Sequence, residues 1–143
     1  MRTLALLVCL ALGGCATNYS AMPAEELANM SDSALVGAFA REESSENADR
    51  LRQEMQRREL FDANVWADIE ASKVRIGMPE AAVWASWGAP DEVNTFASEL
   101  GTTKQHIYTP HGRYHSYGHR ERYQAKYVYT TNGKVTSIDS FGE

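Results

Sequence analysis

Apolar positions recur every three or four residues through the first two thirds of the chain, then change to alternation past Asn94, so helices are expected first and a sheet after them. Ser31 stands where a helix cap belongs, Asp32 follows in the first turn, and Leu35, Val36 and Phe39 share one face. The polar run Glu42-Glu43-Ser44-Ser45-Glu46-Asn47 interrupts that pattern. A second helix is expected over about Asn47 to Arg58, with Ala48, Leu51 and Met55 inward and arginines outside. Asp62 then caps a third, whose Val65, Trp66 and Ile69 fall on one side. Arg50, Arg52, Arg57 and Arg58 could suit an anionic lipid surface. Asp49, Glu54 and Glu59 are interleaved with them, so a solvated, salt-bridged helix is the preferred reading. Helices this short need a platform to pack on.

The stretch from Val74 to Asn94 supplies the next helix. Gly77 breaks what precedes it, Pro79 fits a first turn that needs no N–H, and Gly88 with Pro90 ends the element after Trp87. Val83, Trp84 and Trp87 share a face, which predicts Trp87 buried and Trp84 at least partly so. Asp91 and Glu92 read as turn residues. Strands are expected at Lys104 to Thr109, Tyr123 to Thr130 and Lys134 to about Phe141, the last two joined by Asn132-Gly133, the sharpest hairpin signal in the chain. Along the middle strand Tyr123, Ala125, Tyr127 and Tyr129 lie on one side and Gln124, Lys126 and Val128 on the other. The tyrosine side is taken as the one that meets the helices, because aromatic rings bury most area. The fold class is α+β: short N-terminal helices, then a helix packed on a three-stranded antiparallel meander.

The N-terminus alters the picture. One positive charge, an uncharged run from Leu4 to Leu12 and small residues after it form a secretory leader too short to span a membrane. Its ending, Leu12-Gly13-Gly14-Cys15, resembles the lipobox of bacterial lipoproteins. That resemblance implies cleavage before Cys15, acylation of Cys15, and, with Ala16 rather than aspartate next, an outer-membrane anchor facing the periplasm. The expected organisation is a signal peptide over 1–14, a lipidated tether over 15–24, a helical region over 25–72 and an α/β domain over 73–143. Cys9 and Cys15 are the chain's two cysteines, so the mature domain has no thiol for catalysis, disulfides or metal. The 143 residues carry a net charge of −5, which offers nucleic acid no basic patch.

Ile76-Gly77-Met78, Val83, Trp87-Gly88-Ala89-Pro90, Asp91-Glu92-Val93-Asn94, Gly101-Thr102-Thr103, Gln105, Tyr108, Tyr127-Val128-Tyr129 and Asn132-Gly133-Lys134-Val135 together resemble the SmpA/OmlA (BamE-like) lipoprotein domain over about residues 74–139. The resemblance implies two helices on a three-stranded antiparallel sheet, related to the repeat of the β-lactamase inhibitory protein. It also implies an outer-membrane setting like that of accessory lipoproteins of barrel assembly. Pro79 departs from the family's Ser or Thr cap, His106 replaces a common aromatic, and the first hairpin carries an insertion around Pro110 to Arg122.

Candidate chemistry is sparse. The chain has no G-x-S-x-G, H-E-x-x-H or phosphate-cradling glycine loop, and an enzyme is not expected. All four histidines, His106, His111, His115 and His119, are close enough in sequence to be candidate metal ligands. Their spacing matches no standard site, and a solvated hairpin tip is the preferred reading; no cofactor is assigned. The expected function is a membrane-tethered, non-enzymatic module that binds an outer-membrane or periplasmic protein. Its alternatives are a metal- or ligand-binding lipoprotein using the histidine hairpin, and an inhibitor of a periplasmic enzyme.

Overall fold

The elements come in the order that the change of period predicts. The structure, a computed structural model, describes residues 18–99, 101–109 and 125–141. Among these, helices α1 (Ala24–Asn29), α2 (Asp32–Phe39), α3 (Ser45–Arg57), α4 (Ala63–Glu70) and α5 (Glu80–Trp87) precede strands β1 (Glu92–Ser98), β2 (Gly101–Tyr108), β3 (Ala125–Thr131) and β4 (Lys134–Phe141). The strands form one antiparallel sheet in sequence order.

Local chemistry sets the helix ends. The Ser31 hydroxyl accepts the Ala34 N–H at 3.2 Å, and the Asp62 carboxylate accepts the Val65 N–H at 2.9 Å, each satisfying an amide that the first turn leaves open. Gly88 ends α5 at φ 87°, and the Ala40 carbonyl lies 3.2 Å from where a Cβ would stand. Asn132 and Gly133 turn the last hairpin with φ of 49° and 77°, the pair of positive values that a type I′ turn requires.

Several expectations are corrected. Helix α1 lies where the tether was expected to end; Pro23 starts it, Glu25 and Glu26 occupy its first turn, and only Leu27 is buried. One inward residue leaves no period to read. Residues before it also hold on to the domain: Tyr19 and Met22 pack against the α1–α3 cluster, and the Ser20 N–H donates to Asn47 Oδ1 at 2.7 Å. The sheet has four strands rather than three, because β1 occupies the stretch whose start reads as a turn. The tyrosine face also points the other way. Val128 and Thr130 are 0% and 1% exposed beneath the helices, whereas Tyr127 and Tyr129 are half-buried on the outer face. There the Tyr129 hydroxyl accepts from Gln105 Nε2 at 2.8 Å. Trp87 is half-buried, donating its indole N–H to the Ser72 carbonyl at 2.9 Å and meeting Tyr108 edge-on. The expected insertion from Pro110 to Arg122 lies outside the described residues.

Two clusters make the core. Leu27, Leu35, Val36, Leu51 and Met55 join α1, α2 and α3. Val65, Ile69, Met78, Ala82, Val83, Val128 and Val135 join α4, α5 and the sheet. Helix α4 therefore packs with the sheet and α5, on the far side of the boundary expected after residue 72. Phe61, Trp66, Trp84 and Ala85 touch both clusters and fuse the two layers.

Candidate binding groove

Helices α2 and α5 run side by side in the same direction. Their C-terminal ends meet where the Ala89 N–H donates to the Ala40 carbonyl at 3.2 Å. Their N-terminal ends diverge around a groove of about 370 Å³. Ser33 and Val36 line it from α2, Pro79, Glu80, Ala81 and Trp84 from α5, and Gly133 from the last hairpin. Backbone contacts fix that corner: the Glu80 N–H donates to the Gly133 carbonyl at 2.9 Å, and Pro79 bridges Lys134.

Behind the apolar wall runs a chain of polar groups. Trp84 Nε1 lies 3.4 Å from His106 Nδ1. An indole N–H only donates, so Nδ1 is the bare nitrogen and the ring proton is assigned to Nε2. His106 Nε2 then donates to Thr130 Oγ1 at 3.2 Å, and the Thr130 hydroxyl donates to Glu80 Oε2 at 3.1 Å. Lys104 Nζ closes the chain on Glu80 Oε1 at 2.8 Å. Burial pushes the His106 pKa down; Lys104 acts in the same direction, while Glu80, 3.8 Å away, opposes. Burial likewise holds the Tyr108 phenol well above its ordinary value, and its hydroxyl donates to the Gly88 carbonyl.

Chemically, this wall is finished. The carboxylate is neutralised by a lysine, both histidine nitrogens are occupied, and the donors from Trp84 through His106 and Thr130 on one side and Lys104 on the other converge on Glu80. Such an arrangement fixes the position of Trp84 and Glu80 in the groove. It leaves no free base beside a nucleophile, which acid–base or covalent catalysis needs. The groove can receive an apolar group against Val36, Pro79 and Trp84.

The residues singled out in the sequence are not brought together here. His106 is a core residue with no exposed surface, so it has no nitrogen to give a metal. His111, His115, His119 and Cys15 lie outside the described residues. Among the described residues no group of three or more His, Cys, Asp or Glu is placed to hold a metal ion, and no helix is long and apolar enough to cross a membrane.

The arginines of α3 are engaged in holding the helices. Arg58 donates to the Leu27, Ala28 and Met30 carbonyls, to Asp32 and to Glu54, at 2.7–3.1 Å, so it closes the C-terminal end of α1 and pins α2. Glu54, 8% exposed, also receives two N–H groups from Arg57. Hydrogen bonds from Arg57 first, and then Arg58, hold the Glu54 carboxyl at about 2 against the upward push of burial. Arg50 donates to the Met22 carbonyl, and Arg52 lies over the Phe39 ring. The ion pairs match the expected salt-bridged helix, but Arg58, with 15% of its side chain exposed, is a clamp rather than a solvated group.

Sequence reasoning missed Glu80, Lys104 and Thr130 as partners of His106. The available signal was the alternation in β2, which puts Lys104, His106 and Tyr108 on one face. Compared with protein-family models, curated proteins and solved structures, the chain matches none.

Proposed function

We propose that this protein is a non-enzymatic binding module, anchored by lipid on Cys15 to the periplasmic face of the outer membrane. Its groove between α2 and α5 takes an apolar side chain or short apolar segment of a protein partner. The observation that carries this reading is the groove itself: an apolar surface held open by a polar wall in which each group already has its partner. A site of that kind offers area and shape without reactive groups, as binding pockets do. The likeness of residues 74–139 to the BamE-like domain supports the same setting, with α5 lying on an antiparallel sheet as that family's helices do. A role in outer-membrane assembly or envelope integrity belongs to this proposal.

The test is crosslinking in intact cells with a photoreactive residue at Ser33 or Ala81, and a control at Gln53 on the exposed side of α3. A protein captured from the groove positions and not from the control is the expected result. Absence of groove-specific adducts would overturn the binding role. Palmitate labelling tests the anchor separately: it should be lost in Cys15→Ser, and label retained by that variant would remove Cys15 as the lipid site.

A further inference from the structure

Within the wall behind the groove, His106 is the group that titrates nearest neutrality, and it is 0% exposed. Its Nε2–H is directed at Thr130 Oγ1 at 3.2 Å, and Glu80 Oε1 lies 3.8 Å from the same nitrogen. A proton added at Nδ1 would strengthen both contacts, because each offers oxygen to a ring that has become cationic. The third contact has no such remedy. Nδ1 faces the Trp84 indole N–H at 3.4 Å, and an indole has no acceptor to exchange for its donor. Among the described residues, the charged groups facing the ring are Glu80 from α5 and Lys104 from β2. On the neighbouring strands the residues paired with it are Val93 and Val128. Lys126, on the same face of β3, lies over the Trp87 ring, and Tyr108, two places on in β2, gives its hydroxyl proton to the Gly88 carbonyl.

Where Trp84 goes when it loses that contact decides the consequence. Its ring packs against both core clusters on one side and lines the groove of about 370 Å³ on the other. Close-packed neighbours leave no room on the first side, whereas the groove is open. We infer that the α2–α5 groove is governed by a proton: when His106 gains one, the Trp84 indole turns into the groove and displaces what is bound there. An occupant therefore binds the neutral-histidine form, and its affinity falls as pH drops through the range in which the folded ring titrates. That range lies below the ordinary 6.5, since burial disfavours the cation more than Glu80 favours it. By linkage, an occupied groove keeps the proton off His106 in turn. The inference rests on the binding role proposed for the groove and adds its regulation.

The test titrates N-phenyl-1-naphthylamine, an uncharged probe that fluoresces in apolar surroundings, into the folded protein at about pH 7.5 and about pH 5. Circular dichroism checks that the chain stays folded at both. Binding should weaken by up to about tenfold per pH unit below the titration of the ring, and the profile should be flat in His106→Gln. The indole N–H resonance of Trp84, assigned by its loss in Trp84→Phe, should shift with the same midpoint. Ala81→Arg fills the groove from an exposed position and should abolish binding at either pH. Binding that survives Ala81→Arg, or no binding at the higher pH, removes the binding role of the groove and the coupling with it. Binding that is lost in Ala81→Arg but equal at both pH values overturns the coupling and leaves the groove in place. So does an indole resonance that keeps its position until the chain unfolds, or a pH profile that His106→Gln retains.

Discussion

Acid should destabilise this fold through one histidine. His106 has no exposed surface, and its Nδ1 already accepts the indole proton of Trp84 at 3.4 Å. A proton added there would set two donors against each other inside the core. In the unfolded chain the imidazole is hydrated and titrates near its ordinary 6.5, while in the folded protein burial lowers that value. Below pH 6.5 the unfolded state therefore binds a proton that the folded state refuses, and falling pH favours unfolding. The contribution is fully present above 6.5 and is lost as pH falls, by up to about 1.4 kcal/mol per pH unit, until the folded ring itself titrates. Glu54, lowered from 4.5 to about 2, contributes stability above 4.5 that acid removes only at lower pH, so the two windows separate. The assay is urea unfolding of the wild type and His106→Gln at a series of pH values from neutral to about 4.5. Glutamine keeps an acceptor and a donor but does not titrate. Other groups are common to both proteins and cancel in the difference. The wild type should lose stability relative to the variant between 6.5 and 4.5. Parallel curves, or a wild type that gains on the variant in acid, would refute the neutral, Nδ1-accepting histidine.

Two further outcomes follow from the same contacts. Arg58→Ala leaves the Ala28 and Met30 carbonyls and Asp32 without their donor, the Leu27 carbonyl with the Met30 N–H alone and the 8%-exposed Glu54 with Arg57 alone, and should cost about 3 kcal/mol. Arg58→Lys keeps the charge but not the planar fork and should cost roughly 1–2 kcal/mol; chemical denaturation measures both, and equal stability of Lys and wild type would show the fork to be dispensable. Trp84→Phe removes the donor to His106 Nδ1 and should cost about 1–2 kcal/mol. That loss should largely disappear in a His106→Ala background, and additive losses in the double variant would deny the contact.

What could be read from the sequence was local. Ser31, Asp62, Gly88 and Asn132-Gly133 each act within a few residues of themselves, and each stands where its chemistry predicts. Strand β1 escaped because, exposed on both faces, it needs no alternation. The inner face of β3 could not be read from the strand alone, because a tyrosine's area argues for burial and its hydroxyl argues for a polar partner. Gln105, on another strand, settles that contest. Distance hid the polar wall, since the Thr130–Glu80 hydrogen bond spans 50 residues of sequence. Arg58 was legible as a partner of Glu54 at helical spacing. Its grip on the end of α1 was not, because α1 itself leaves almost no pattern.

The ends of the helices set the groove apart from the start of the described chain. Arg58, at the end of α3, reaches Asp32 at the start of α2, so these two helices are antiparallel and α3 begins at the end where α2 and α5 finish. Ser20 is bonded to Asn47 in the first turn of α3, which places the start of the described chain at that same end. The groove lies at the other, between the N-terminal ends of α2 and α5. The 13 residues of α3 span about 20 Å. That length separates the α2–α5 groove from the end at which the described chain begins.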